Sequence, residues 1–405
     1  MTDVPPSRYY VAFTSAQAIS AIGSWMQKTG MGWLMWDLTH SVAWVGALAL
    51  CELVSALWVA PLAGAVTDRS NAYRLVAGTQ VMLLVQAVAL AGVTAAGQMT
   101  AWLLLAFALG ESSLQGFNQP VRMTVIGSLA GSARMARAIA FSSMTFNLAR
   151  SVGPALAGIT MAGGSVALVF VLNASSFLAM LMAVFYVKRH IDRPPAGRHA
   201  TLRGDISEGY SYILRTPRIA TVMLLALSFS LLGRPFGELL PAFAGDVFGG
   251  GPQTLSLLMS AQGLGATAGA LWMLRARSTE ALLQLALTSA IVFSVAMVAF
   301  TAGSVLSYAC VAMLIAGIGH VVCNIAMQSL VQLMAVPSFR GRSVALYSLI
   351  FRAGPALGAF VIGLAAPFVG LQLLVGLGAA LFGASVMLGF MPVSRRLFGA
   401  QPAGV

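Results

Sequence analysis

The sequence predicts an all-α integral membrane protein with twelve transmembrane helices in two bundles of six. Three observations predict it. The chain is 59% hydrophobic and 8% charged, whereas a soluble domain carries about a quarter charged residues; this composition leaves too little polar surface to face water. The apolar residues gather into twelve runs, each long enough for the ~20 residues that a spanning helix needs. The basic residues between runs lie only on alternate connections, and therefore on one side of the membrane.

The runs cover approximately 9–37, 41–66, 75–96, 101–128, 138–162, 164–187, 219–246, 253–274, 279–302, 304–334, 343–367 and 370–391. Several exceed the minimum, so tilt or bending is expected. The one long polar segment, 188–218, divides the chain into an N-terminal bundle (1–187), a linker and a C-terminal bundle (219–405). Eighteen of the 23 Lys and Arg residues fall outside the runs, in the termini or in the even-to-odd connections: Arg8, Arg69 and Arg74, Arg134 and Arg137, the seven from Lys188 to Arg218, Arg275 and Arg277, Arg340 and Arg342, and Arg395 and Arg396. The opposite connections hold none. Both termini and the linker are thus expected in the cytoplasm. The net charge of +12 reflects this topology, and a nucleic-acid partner is not expected. The N-terminus lacks a basic region followed by a short apolar core and a cleavage site, so no removable signal peptide is expected. Cys51, Cys310 and Cys323 all lie in apolar runs and suggest neither a disulfide nor a metal cluster.

Charges inside the runs are expensive and usually face protein or water. The first run carries Gln17, Ser24 and Lys28 on one face, and the second carries Glu52. In the fourth, Glu111, Gln115, Asn118 and Arg122 recur at i, i+4, i+7 and i+11, one face of a helix. The seventh holds Ser230, Arg234 and Glu238 threaded with Gly233, Pro235 and Gly237, and the tenth His320, Asn324 and Gln328. A single stripe of this kind can be interhelical glue, with Arg234 and Glu238 satisfying each other at i,i+4. Four stripes at a three-helix interval favour a shared substrate cavity. The third, sixth, ninth and twelfth runs have charge-free interiors and read as an outer scaffold facing lipid.

The fifth and eleventh runs repeat one another. Arg150, Gly153 and Pro154 in the first half are answered by Arg352, Gly354 and Pro355 in the second. Gly and Pro in a membrane helix allow close packing and a bend, and matching broken helices in two halves suggest a transporter built from internal repeats. In the linker, Ile206, Tyr210, Ile213 and Leu214 lie at helical spacing, which predicts a short amphipathic helix on the inner leaflet over 203–215.

A carboxyl at bilayer depth can load and release a proton as its cavity alternates exposure. Glu111, on the fourth-run stripe, is the preferred coupling residue, with Glu52 and Glu238 as alternatives. His320 titrates in a suitable range, but a lone histidine is more often a packed, hydrogen-bonded residue.

Between the second and third runs stands Gly64-Ala65-Val66-Thr67-Asp68-Arg69-Ser70-Asn71-Ala72-Tyr73-Arg74. It resembles the G-x-x-x-D-R-x-x-x-x-R cytoplasmic signature of the major facilitator superfamily. The corresponding loop of the second half, Leu274-Arg275-Ala276-Arg277, lacks the Asp. Gly23-Ser24-Trp25-Met26-Gln27, Asn147 to Pro154 and Leu172-Asn173-Ala174-Ser175-Ser176-Phe177 resemble the branch that includes the enterobactin exporter and macrolide-efflux transporters. The resemblance implies a bacterial inner-membrane transporter of the major facilitator fold. It implies an inner gate at Gly64, Asp68, Arg69 and Arg74, and through the Gly-Pro of the fifth run it implies export. Arg150, Gly153, Pro154, Arg352, Gly354 and Pro355 are assigned to gating with them.

No P-loop, nucleophile–base set or metal-ligand spacing is present in the sequence. An enzyme is not expected, nor is any cofactor or metal. The expected function is proton-coupled efflux of a small amphipathic molecule by a monomer embedded in lipid. An importer of the same fold and a non-transporting membrane sensor or scaffold are the alternatives. Away from the ends of the runs, where Asp37, Asp246 and Glu280 stand, five cations against three carboxylates, Glu52, Glu111 and Glu238, favour a neutral or anionic cargo over a cationic one.

Overall fold

The computed structural model describes residues 8–69, 71–130, 135–188, 211–273 and 278–398. Among these residues the chain forms twelve long helical segments in succession, counting two interrupted helices as one each, and one short helical stretch at 211–215. They are α1 (Arg8–Thr39), α2 (Val42–Arg69), α3 (Ala72–Ala95), α4 (Ala101–Ala130), α5 (Met135–Gly163), α6 (Val166–Val187), α7 (Pro217–Val247), α8 (Pro252–Met273), α9 (Thr279–Ala302), α10 (Leu306–Met334), α11 (Pro337–Val369) and α12 (371–398). Eight are long and apolar enough in themselves to cross a membrane; α1, α4, α5 and α8 are the more polar four.

The helices outrun several of the apolar runs. Arg340 and Arg342, expected in a loop, lie in the first turns of α11, Arg74 lies in the first turn of α3, and Arg69 ends α2. A helix satisfies its own backbone, so it can continue into the polar interface beyond the hydrocarbon. Of the expected linker helix, only 211–215 falls within the described residues, and it is helical. Tyr212 stacks on Phe339 at 4.5 Å, and its hydroxyl accepts the Val336 N–H at 3.1 Å.

The chain divides into two compact units. Unit 1 comprises Met1–Thr39 and Cys51–His199, and unit 2 comprises His40–Leu50 and Ala200–Val405. In unit 1, α1 packs on α5 and α6, and α3 on α4 and α6; in unit 2 the same pairings recur six helices on, α7 with α11 and α12, and α9 with α10 and α12. The sequence repeat sits at one of these matched crossings. A Cβ on Gly153 of α5 would stand 2.5 Å from the Trp25 Cβ and 3.0 Å from the Ile22 carbonyl oxygen of α1. A Cβ on Gly354 of α11 would stand 3.0 Å from the Ser230 carbonyl carbon of α7. Only glycine lets the helices come this close, as small residues do wherever membrane helices pack without a hydrophobic drive between them. Both prolines lie inside continuous helices.

The helix α2 is shared between the units. Its first turns belong to unit 2, where Gly46 lies against Ala359 and Phe360 of α11, and Gly363 of α11 lies against Val42 and Ala43. From Cys51 onward it is stitched to α4 of unit 1: the Ser55 and Ser112 hydroxyls meet at 2.6 Å, and Ser55 donates to the Leu109 carbonyl at 3.3 Å.

Among the described residues unit 1 has two apolar clusters. One gathers Phe13, Ala16, Val76, Val121, Val125, Met180 and Val184; the other gathers Leu83, Ala87, Ala174 and Phe177. Unit 2 is aromatic inside, with Phe229, Phe236, Phe293 and Phe382 fully buried and in ring contact. The apolar surfaces point outward on the helices with charge-free interiors, as at Met82, Val85 and Val88 of α3, Met182 of α6, Val295 of α9 and Leu381 of α12. An outer face of this kind suits lipid.

Candidate functional site

In unit 1 the ionisable groups converge at membrane depth. Lys28 Nζ lies 2.6 Å from Glu52 Oε1, with the side chains 33% and 51% exposed. The ammonium also lies 5.4 Å from the Trp25 ring centroid. An ion pair this accessible contributes only about 0–1 kcal/mol, so its value here is positional. Glu111, on α4, is buried at 7% exposure. It is within hydrogen-bonding reach of Gln27, and Lys28 and Glu52 both act on it electrostatically. Gln27 is fixed from three helices. Its amide oxygen accepts from Asn173 Nδ2 at 2.8 Å, and its Nε2 donates to Gln86 Oε1 at 3.2 Å. Gln86 in turn donates to the Phe107 carbonyl at 3.3 Å, and the Ser176 hydroxyl donates to Asn173 Oδ1 at 3.0 Å. One lysine thus serves two carboxyls. The trio is neutral when it holds one extra proton and carries a single negative charge when it does not.

The remainder of the α4 stripe runs along α1 and α3. Gln115 Nε2 donates to Ser24 Oγ at 3.2 Å. Asn118 is 1% exposed and accepts from Thr79 Oγ1 at 3.4 Å, so it faces the interior of the bundle. Gln17 Nε2 donates to Ser142 Oγ of α5 at 3.2 Å. Arg122 is half-buried on the last turns of α4.

In unit 2 the centre is Arg234. The Phe229–Gly233 segment of α7 is a π-helical turn, closed by the Arg234 N–H donating to the Phe229 carbonyl at 3.0 Å, and the helix resumes at Phe236. Such turns frequently mark functional positions. The guanidinium carbon lies 3.5 Å from the Phe351 ring centroid. Nε donates to His320 Nε2 at 3.1 Å, and Nη1 donates to the Phe351 carbonyl at 2.5 Å. His320 accepts at Nε2, so it is the neutral imidazole in this arrangement. It is 3% exposed and packed against Phe229, Phe293 and Phe351. Tyr347 stacks on Phe351 and donates to Asn324 Oδ1 at 2.7 Å. Beside the i,i+4 neighbour Glu238 that the sequence offers, the structure brings His320 and Phe351 to Arg234. Glu238 and Gln328 are half-buried on α7 and α10.

Arg150 is half-buried on α5, and Arg352 is exposed on α11. The side chains of Gly64, Asp68 and Arg69 lie outside the described residues; their backbone forms the end of α2. Arg74 is exposed, and its N–H donates to the Asn71 side chain, the N-cap of α3, at 3.3 Å. Gln86, Tyr347 and Phe351 were not among the sequence candidates. Gln86 shares its charge-free run with a second amide, Gln80, and nothing in the spacing singles it out or distinguishes Phe351 from core.

Twelve membrane-length helices in repeated halves, with lysine, carboxylates and a guanidinium held inside them, define a multi-pass membrane protein of the major facilitator fold. The profile of the transmembrane secretion effector family matches residues 7–396, and the chain belongs to that family of the major facilitator superfamily. Among curated proteins it is 23% identical to the staphyloferrin A transporter of Staphylococcus aureus over 62% of this chain and 64% of that one. It is also 23% identical to the uncharacterized MFS-type transporter YfiS of Bacillus subtilis, over 52% of this chain and 51% of that one. The chain therefore spans less than two thirds of the length of these relatives. Solved structures share the fold. The nucleoside transporter NupG superposes with a TM-score of 0.71 at 14% identity, covering 96% of this chain and 99% of that one. A bacterial homologue of the human lysosomal transporter Spinster, inward-facing and occupied, gives 0.73 at 15% identity, covering 99% and 100%.

Proposed function

We propose that this protein is a proton-coupled exporter of a small amphipathic compound, neutral or anionic, across the bacterial inner membrane, with both termini in the cytoplasm. The observation that carries this reading is the cluster of Lys28, Glu52 and the buried Glu111. A carboxyl that shares one lysine with a second carboxyl can trade a proton for a charge contact. That exchange is what couples a downhill proton to an uphill cargo when a midplane site alternates its exposure. The direction is supported by the family description, which speaks of secretion, and by the Gly-Pro of α5. The cargo class is supported by the Arg234–Phe351 arrangement, a cation laid on an aromatic face, and by a relative named for transport of the siderophore staphyloferrin A. A bidentate acceptor such as a carboxylate suits a guanidinium.

The test is dye efflux from proteoliposomes with an imposed pH gradient. Glu111→Gln preserves side-chain size and removes titration. It is expected to abolish the dependence of efflux on the gradient while dye binding persists. Gradient-driven efflux at the wild-type level in this variant would exclude Glu111 from coupling and shift the role to Glu52 or Glu238.

A further inference from the structure

Between the two apolar clusters of unit 1 lies a polar layer that the coupling cluster does not use. It is placed by helix geometry. One turn beyond Ala16 on α1 stands Ser20, one turn beyond Val76 on α3 stands Gln80, and one turn before Val121 on α4 stands Asn118. On the far side of the layer come Leu83 and Leu114 of the second cluster. The three side chains are 1%, 0% and 1% exposed. Yet among the described residues Ser20 Oγ, both amide atoms of Gln80 and Asn118 Nδ2 have no hydrogen-bond partner. One turn back from Ser20 on α1, Gln17 Oε1 is also without one. Buried polar atoms in native proteins are nearly always satisfied, by protein or by ordered water. Here the donors and acceptors occur together: Gln80 and Asn118 offer N–H groups, while Ser20, Gln80 and Gln17 offer oxygens. A bare cation would be repelled by the amide hydrogens, whereas water can answer both kinds of group.

The layer is continuous with the coupling site. Antiparallel α1 and α4 pair Gln27 with Glu111, then Ser24 with Gln115, then present Ser20 and Asn118, then Gln17 with Ser142 of α5. The series steps by helical turns from Glu111 toward the end of the bundle that carries Arg8, Arg74 and Lys188. We propose, building on the reading of Glu111 as the coupling carboxyl, that the α1–α4 seam of unit 1 is hydrated and carries protons between Glu111 and that basic end. The amides hold the water; water and the Ser24 and Ser20 hydroxyls relay. Glu111 gives up its proton and becomes a carboxylate, each relay oxygen accepts one proton and releases another, and the last water passes its proton to bulk solvent. Only O–H bonds form and break. The charged groups acting on Glu111 are Lys28 of α1 and Glu52 of α2.

The experiment follows the carboxyl C=O band of the protonated protein in lipid nanodiscs by time-resolved infrared spectroscopy after a pH jump, with Glu111→Gln identifying the Glu111 band. Ser20→Ala, which deletes one atom and keeps the fold, and Asn118→Leu, which fills the layer with hydrocarbon, are each expected to slow equilibration of that band about tenfold, the loss of one net hydrogen bond from the relay. Asn118→Ser should restore most of the rate, because a hydroxyl leaves room for water. Wild-type rates in both Ser20→Ala and Asn118→Leu would overturn the path while leaving Glu111 in place. A Gln80→Leu protein that melts higher and equilibrates like wild type would show a dry layer and overturn it too. Failure of the coupling reading looks different: no band is lost in Glu111→Gln, and the path falls with it.

Discussion

Substituting alanine at the two matched helix crossings puts the repeat architecture to a quantitative test. A Cβ at Gly153 would meet Trp25 Cβ at 2.5 Å, the Ile22 carbonyl oxygen at 3.0 Å and the Met26 nitrogen at 3.2 Å. A relaxed contact between carbons is about 3.5–4.0 Å, so α5 and α1 must separate by roughly that 1 Å shortfall. None of the three atoms can swing aside, because each belongs to the α1 backbone or is bonded directly to it. At Gly354 the obstacles are Ser230 Cβ, its carbonyl carbon at 3.0 Å and its Cα at 3.2 Å, equally immovable. Overpacking of this kind costs about 1–3 kcal/mol, offset in part by the ~1 kcal/mol advantage of alanine over glycine in a helix. Gly78 and Gly92 of α3 provide the control, since a Cβ there meets nothing within 4 Å and alanine should leave stability unchanged or raise it. The crossing variants should therefore lie about 1–3 kcal/mol below the controls, or roughly 2–4 °C of melting temperature per kcal/mol for a unit of this size. Purified proteins in one detergent, melted with tryptophan fluorescence as the readout, give the comparison. A Gly153→Ala protein that melts with or above Gly78→Ala would show that the close crossing is not a constraint, and the equivalence of α5 and α11 would lose its physical basis.

Three further outcomes rest on the same features. Arg234→Gln removes the charge over Phe351 and should reduce efflux of an anionic dye more than that of a matched cationic dye; cation export that is strong and survives the change would reverse the inferred cargo sign. Asp68→Asn should impair turnover in reconstituted vesicles without lowering expression much, because the resemblance assigns Asp68 to an inner gate and it belongs to neither apolar cluster; unchanged turnover removes the latch role. In a background without Cys51, Cys310 and Cys323, His40→Cys and Gly250→Cys should label with a membrane-impermeant thiol reagent applied to intact cells, and Arg198→Cys should not. Labelling at 198 would invert the topology.

Much of the fold was legible because the membrane writes it into composition: twelve apolar runs and one-sided arginines need no knowledge of packing. The runs fell short where helices leave the hydrocarbon, since Arg340 and Arg342 look like loop but continue α11. The site was legible in part. Glu111 and Lys28 stand out because a charge in an apolar run is conspicuous. Gln27, Gln86 and Asn173 do not, because a neutral amide is unremarkable until its partners on other helices are known. Periodicity is silent on the long-range partners of Arg234, because an i,i+4 count reaches only neighbours on the same helix. The residues that meet Arg234, His320 and Phe351, are 86 and 117 positions away.

The division of α2 bears on how this gene can be cut. Unit 2 is discontinuous, and it takes His40–Leu50 from the opposite half of the sequence. A gene split at the 188–218 connection, the boundary that composition recommends, would encode a carboxy-terminal fragment lacking those eleven residues and leave Gly363 facing lipid where Val42 and Ala43 had been. The amino-terminal fragment would carry a helix whose first turns had lost their seat against Ala359. Co-expressed fragments could still complement one another, because Gly46 and Gly363 would find each other in the bilayer. Neither fragment is a module that recombination could pass intact to another transporter.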